Sequence, residues 1–155
     1  MSEVESAKII TVSTAHLHPQ TIERLCARTV EGSPSIAIRD EGLLVNSHIG
    51  AETLDAEAIA RSELASEAPD LVVAMAFARG QGAAWINFDR DGDVIDQLPS
   101  YDEGEMIPPA DREWGVLARY ATSVDGVCIF EATPEAIAFA DAGGAEPAPD
   151  PVTGP

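Results

Sequence analysis

Trp85-Ile-Asn-Phe-Asp89, Arg90-Asp-Gly-Asp93 and Val94-Ile-Asp-Gln-Leu98 follow one another without a break, and the reading of this stretch decides the fold. Apolar and polar residues alternate on the first side of a turn sequence, as a strand with one buried face requires. Asp91-Gly92 suits a type I′ turn, because glycine takes the positive φ such a turn demands and its twist matches the flanking strands. The stretch therefore predicts a hairpin with Gly92 at positive φ and Phe88 opposite Ile95. A second hairpin is expected upstream, where Ile36–Ile38 and Leu43–Val45 flank Asp40-Glu41-Gly42.

Working outward, the β-branched run 8–13 reads as a first strand. Pro19 fits the first turn of a helix with Ile22, Leu25 and Cys26 on one face. Asp55 can cap a helix that runs to about Glu67 and turns Ala56, Ile59, Ala60 and Leu64 inward. Leu71–Arg79 suits either a buried strand or a helix after Pro69, and Gly80 and Gly82 beyond it favour the helix. Pro108-Pro109 predicts a helix carrying Trp114, Leu117 and Ala121 on one face and stopped by Gly126. Val127–Phe130 reads as a last strand, and Thr133-Pro134-Glu135 starts a short helix by the cap-then-proline pattern. The expected architecture is a single α+β domain over 8–142, with an antiparallel sheet, hairpins, and helices mostly on one face. A short extension, 1–7, precedes it, and an acidic Pro/Ala-rich tail, 143–155, with little to bury should be disordered.

A chain of 155 residues suits one domain, and 45% apolar residues suffice for a core. Only 5% are aromatic, so that core must be mostly aliphatic. With 27 acidic against 9 basic side chains the formal net charge is −18, which argues against direct binding to nucleic-acid phosphates or anionic lipid. The same acidity also suits a proteome adapted to salt. The longest apolar run, Leu71–Ala78, is far shorter than the about twenty residues of a membrane span. The first residues are acidic and lack the apolar stretch of a secretory signal, so a cytoplasmic location is expected. Cys26 and Cys128 show neither zinc nor disulfide spacing and are expected as buried thiols.

Several constellations imitate chemistry. His16, His18 and His48 could furnish imidazoles for a metal, yet no His-Glu-x-x-His pattern exists, so His16 is expected to hydrogen-bond backbone at the junction and His18 to be exposed. Ser13-Thr14 beside His16 suggests a nucleophile and base, but a nucleophile elbow and an orienting acid are both missing from the pattern. Asp89, Asp91, Asp93 and Asp96 depart from a calcium loop, because Gly92 stands fourth and Ser100 twelfth where Gly sixth and Glu twelfth are required. Gly80-Gln-Gly82 lacks the Lys-Ser/Thr ending of a phosphate loop. No metal and no cofactor is therefore expected. Residues 89–105 hold seven acids (Asp89, Asp91, Asp93, Asp96, Asp102, Glu103, Glu105) against Arg90. Leu98, Pro99 and Tyr101 lie among them, so the segment reads either as a solvated acidic loop or as a recognition surface, with Tyr101 as anchor and Asp102, Glu103 and Glu105 as its rim.

Two stretches resemble a known family. Val12-Ser-Thr-Ala-His-Leu-His-Pro-Gln-Thr21 resembles the Ser-Thr-Ala-His start of the bacterial domain-of-unknown-function family 5983. Trp85 to Asp102 resembles that family's aromatic–Asp-Gly hairpin and Leu-Pro-x-Tyr-Asp segment, and Gly42-Leu-Leu-Val45 matches one of its strands more weakly. The resemblance spans roughly 8–103 and rests on Ser13, Thr14, His16, Asp91, Gly92, Leu98, Pro99, Tyr101 and Asp102. His18 stands where the family tends to carry a Ser or Thr helix cap. Members are small proteins, often found on plasmids, phages and genomic islands, with no established activity. The resemblance implies this fold and a mobile-element setting. The function expected from residues and resemblance together is that of a non-enzymatic accessory protein acting through a protein partner, such as a basic nucleic-acid-processing enzyme. The alternative is a small hydrolase-like or metal-dependent enzyme centred on His16.

Overall fold

The computed structural model describes residues 8–29, 34–48, 55–102, 105–124 and 127–144. The chain runs β1 (Ile9–Ser13), a 3-10 turn (Thr14–His16), α1 (Pro19–Cys26), β2 (Ile36–Arg39), β3 (Gly42–Asn46), α2 (Ala56–Ala60), α3 (Glu63–Glu67) and α4 (Pro69–Gly80). It continues through β4 (Trp85–Asp89), β5 (Ser100–Asp102), β6 (Glu105–Ile107), a second 3-10 segment (Trp114–Tyr120), β7 (Ala121–Val124), β8 (Val127–Phe130) and α5 (Pro134–Asp141). The α+β class is as expected.

The main sheet has the order β1-β4-β3-β2. β2–β3 and β3–β4 are antiparallel, and β1–β4 is parallel, so the sheet is mixed. Period-2 alternation places Val12, Phe88, Leu43, Ile86 and Val45 on one buried face. That face meets the helices in one core. The opposite face carries Ile9, Thr11, Asn87 and Arg39; there Arg39 donates to Asn87 Oδ1, and Asn87 Nδ2 to Thr11 Oγ1 at 3.4 Å. Two short ladders, β5–β6 and β7–β8, stand apart from this sheet.

The hairpin predicted over 85–98 does not form. β4 lies between β1 and β3, so both of its edges are taken and 94–98 has no ladder to join. Phe88 accordingly faces Val12 and Leu43, not Ile95. Gly92 is also outside the positive-φ region. It is needed for another reason: a Cβ there would sit 2.7 Å from the Val12 carbonyl oxygen. The loop after β4 folds over the end of β1, where the Ser13 N–H donates to the Asp93 carbonyl at 2.8 Å. Gly42 does take a positive φ in the β2–β3 turn, and a Cβ there would overlap the Phe88 carbonyl.

The helices follow their caps. Asp55 accepts from the Ala58 N–H at 2.8 Å, as expected, but the helix predicted to Glu67 is broken at Ser62. Ser62 Oγ donates to the Ile59 carbonyl and accepts from the Ala65 N–H, which ends α2 and starts α3. The ambiguous run after Pro69 is helix α4, and every residue from Asp70 to Ala78 is buried. A helix apolar on all sides belongs inside a core. The segment after Pro108-Pro109 is 3-10 rather than α-helical and begins only at Trp114. Trp114 wedges edge-on between Phe77 and Phe139, at 5.4 and 4.9 Å between ring centroids. The chain is already in β7 at Ala121, ahead of the predicted stop at Gly126, which lies outside the described residues.

Thr133 caps α5, and the N–H groups of Gly143 and Gly144 close it on the Ala140 and Phe139 carbonyls. The rest of the predicted tail and the extension 1–7 lie outside the described residues. Cys26, expected buried, is exposed, because α1 turns Thr21 and Leu25 inward instead. Among the described residues no helix is long and apolar enough to cross a membrane.

Candidate functional site

β1 delivers Ser13, Thr14 and His16 to the point where the chain leaves the sheet. Ser13 caps the 3-10 turn through its Oγ, which accepts from the Ala15 N–H at 3.0 Å. The turn carries His16 into the interior, where it is 2% exposed. Its Nδ1 is 2.8 Å from the Pro99 carbonyl oxygen, and its Nε2 is 2.9 Å from the Ile95 amide nitrogen. A carbonyl only accepts and an amide N–H only donates, so the imidazole is neutral, with its proton on Nδ1. Burial holds its pKa below the usual imidazole value, against the pull of the Pro99 carbonyl. His16 thus clasps the β1–α1 junction to residues 95–99. Both ring nitrogens are bound to backbone, which leaves neither for a metal nor for proton transfer.

Two residues on, His18, expected to be exposed, is half-buried and caps α1: its Nδ1 accepts from the Gln20 N–H at 3.0 Å. An imidazole nitrogen fills the role that a Ser or Thr oxygen fills elsewhere. The His18 backbone N–H is received by Asp70 Oδ2 at 2.7 Å, and Thr21 Oγ1 donates to Asp70 Oδ1 at 3.0 Å. Asp70 stands in the first turn of α4, a helix whose own cap residue, Ala68, offers no side-chain acceptor. One carboxylate therefore serves the N-terminal ends of two helices, where negative charge is favoured. Asp70 is 6% exposed, and burial raises its pKa, opposed by the bonds from His18, Thr21, Leu71 and its own N–H.

Tyr101 completes the arrangement. Its ring meets His18 edge to face, at 5.5 Å between centroids and 73° between planes. Beneath the pair lies a cavity of about 230 Å³ that reaches Asp70 and Phe130. At its rim Arg24 forms an ion pair with Glu67 and also donates Nη1 to the Glu67 carbonyl at 2.9 Å.

The sequence-predicted residues thus separate into two groups. Ser13, Thr14, His16, Leu98, Pro99 and Tyr101 come together around the clasp, with Leu98 and Pro99 buried and Tyr101 half-buried. Asp91, Asp102 and Glu105 are exposed; Asp102 and Glu105 face each other across the β5–β6 ladder. Asp89 Oδ1 accepts from the Asp91 N–H at 2.8 Å, so this acid shapes the turn that a calcium loop would have used. Glu103 lies outside the described residues. Among the described residues no three His, Cys, Asp or Glu side chains are placed to hold a metal ion. Sequence reasoning missed Asp70, Thr21, Arg24 and Glu67. One signal was available for Asp70: it opens a helix that is apolar all round, so its own first turn had to be buried.

No curated protein and no solved structure matches the chain. The Family of unknown function (DUF5983) C-terminal domain matches residues 9–103. That match covers more than half of the chain, which belongs to this family.

Proposed function

We propose that this member of the DUF5983 C-terminal domain family is a non-enzymatic accessory protein that binds a protein with a basic surface. The contact runs along residues 91–105, with Tyr101 as anchor and the neighbouring carboxylates as rim. The observation that carries this reading is the clasp: His16 fixes residues 95–99, which lead directly into Tyr101, while Asp91, Asp93, Asp96, Asp102 and Glu105 stay exposed along the same segment. A surface held in place before binding loses less conformational freedom on association. A net charge of −18 speeds encounter with a basic partner and repels nucleic-acid phosphates and anionic lipid. The occurrence of family members on plasmids, phages and genomic islands favours service to a mobile element in the cytoplasm. A basic nucleic-acid-processing enzyme of the element or its host suits the charge.

The test is affinity purification from the cells that carry the protein, followed by binding kinetics at two salt concentrations. Tyr101→Ala should speed dissociation, since anchors act mainly on that step. Neutralising Asp102, Glu103 and Glu105 together should slow association and flatten its salt dependence. Wild-type kinetics in both variants would refute the proposal.

A further inference from the structure

The cavity under Tyr101 and His18 has a shape and a lining that the acidic edge alone does not explain. Its volume of about 230 Å³ lies below the roughly 300 Å³ at which pockets for drug-sized ligands begin. It is sized for one side chain. Tyr101, His18 and Phe130 give it aromatic surface, and Glu67 and Asp70 give it two carboxylates against the single guanidinium of Arg24. Resting on the binding function above, we propose that this cavity receives one cationic side chain, a lysine or an arginine, from the basic partner.

Arg24 already shows how the site treats a guanidinium: it meets the Glu67 carboxylate and the Glu67 carbonyl together. That pair is open to exchange, because the Arg24 and Glu67 side chains keep 40% and 33% of their exposure, and exposed ion pairs hold weakly. An incoming cation can share the Glu67 carboxylate while its stem lies against aromatic faces, which attract positive charge. An apolar side chain of the same length would strip water from the Arg24–Glu67 pair and add no charge to offset it. An anionic one would meet two carboxylates against one guanidinium. Tyr101, which lines the cavity, is followed in β5 by the exposed Asp102, whose ladder partner is the exposed Glu105, so steering by this edge brings a basic segment to the same strand.

The experiment is an amide chemical-shift titration of the full chain with four probes: the Nα-acetyl amides of arginine, lysine, leucine and glutamate. The arginine and lysine probes should shift the amides of residues 18, 20–24, 66–68 and 70 saturably, and the leucine and glutamate probes should leave them in place. Glu67→Gln and Tyr101→Leu should each weaken the cationic probes about two- to fivefold, as befits an exposed cation–π or ion-pair contact. Should either variant lose its fold, the four-probe comparison on the wild type decides alone. Equal shifts from leucine, or larger ones from glutamate, would overturn the proposal. So would cationic probes that shift only residues 91–102 and 105, or none, while the purified partner still binds; the acidic-edge reading then stands without the pocket. Kinetics insensitive to the edge variants would instead remove that reading, whatever the probes show in the cavity.

Discussion

At the β1–α1 junction the buried polar groups are bonded inside the fold, whereas along residues 89–105 most carboxylates face water. His16, Ser13 and Asp70 are each at most 6% exposed, and each meets a backbone group at 2.7 to 3.0 Å. Asp91, Asp93, Asp96, Asp102 and Glu105 are all exposed, and their carboxylates remain available to a partner. Residues of the same chemical type therefore serve opposite ends, and burial decides which. The junction determines where the 95–101 segment sits; the edge determines what that segment can meet.

The contrast is sharpest in stability. His16→Leu removes an acceptor from the Ile95 N–H and a donor from the Pro99 carbonyl in a buried place, which should cost about 3 kcal/mol in chemical denaturation. Asp70→Ala strands the His18 N–H and the Thr21 hydroxyl and should cost about 2 kcal/mol in the same measurement. A loss of under half a kcal/mol in either would erase the distinction between the two regions.

Gly92 sharpens it at the boundary. The close approach to Val12 means that Gly92→Asn should destabilise as much as Gly92→Ala, by about 1–2 kcal/mol. A left-handed position would tolerate Asn far better than Ala, so a large gap between the two would restore the type I′ turn.

Acid sensitivity should also divide the regions. The folded pKa of His16 is lowered, so as the pH falls below about 6.5 the unfolded chain takes up the proton first. The stability that neutral His16 contributes is complete above that value and is lost as the pH drops towards the folded pKa. Asp70, with a raised pKa, works in the opposite sense, and comparison of wild type with His16→Leu subtracts it. Melting temperature between pH 7.5 and 5 should fall more steeply in the wild type; parallel curves would contradict the burial of a neutral imidazole.

The smallest effect belongs to the edge. Neutralising Asp102, Glu103 and Glu105 should change stability by no more than about 0.5 kcal/mol, as for surface substitutions generally. A larger loss would mean that these acids hold the fold rather than a partner.

Local signals were legible in the sequence. Asp55, Thr133-Pro134, Pro19 and Gly42 mark element ends through their own backbone chemistry, and the structure places ends or turns there. Ser62 was as local a signal, yet the apolar spacing that runs through it hid the break. What stayed hidden was the choice of distant partners. Val94–Leu98 has the right composition for a strand, but β4 pairs with β1 and β3 from the far side of the chain. That His16 bonds backbone was expected from its place at the strand end, but its partners at Pro99 and Ile95 were not, because no spacing rule connects them to residue 16. Tyr101 was singled out as a candidate anchor from its neighbours in sequence, while the His18 ring and the cavity beneath it came only from the fold.

The central claim is that His16 is a neutral clasp between the two motif segments, and long-range proton–nitrogen correlation of its ring tests that directly. Across pH 8 to 5, with and without added zinc, the account expects a protonated Nδ1, an unprotonated Nε2 and a titration midpoint below the usual 6.5. An Nε2–H tautomer, a midpoint at or above 6.5, or a ring shift on zinc addition would contradict the clasp and return His16 to the list of catalytic and metal-binding candidates.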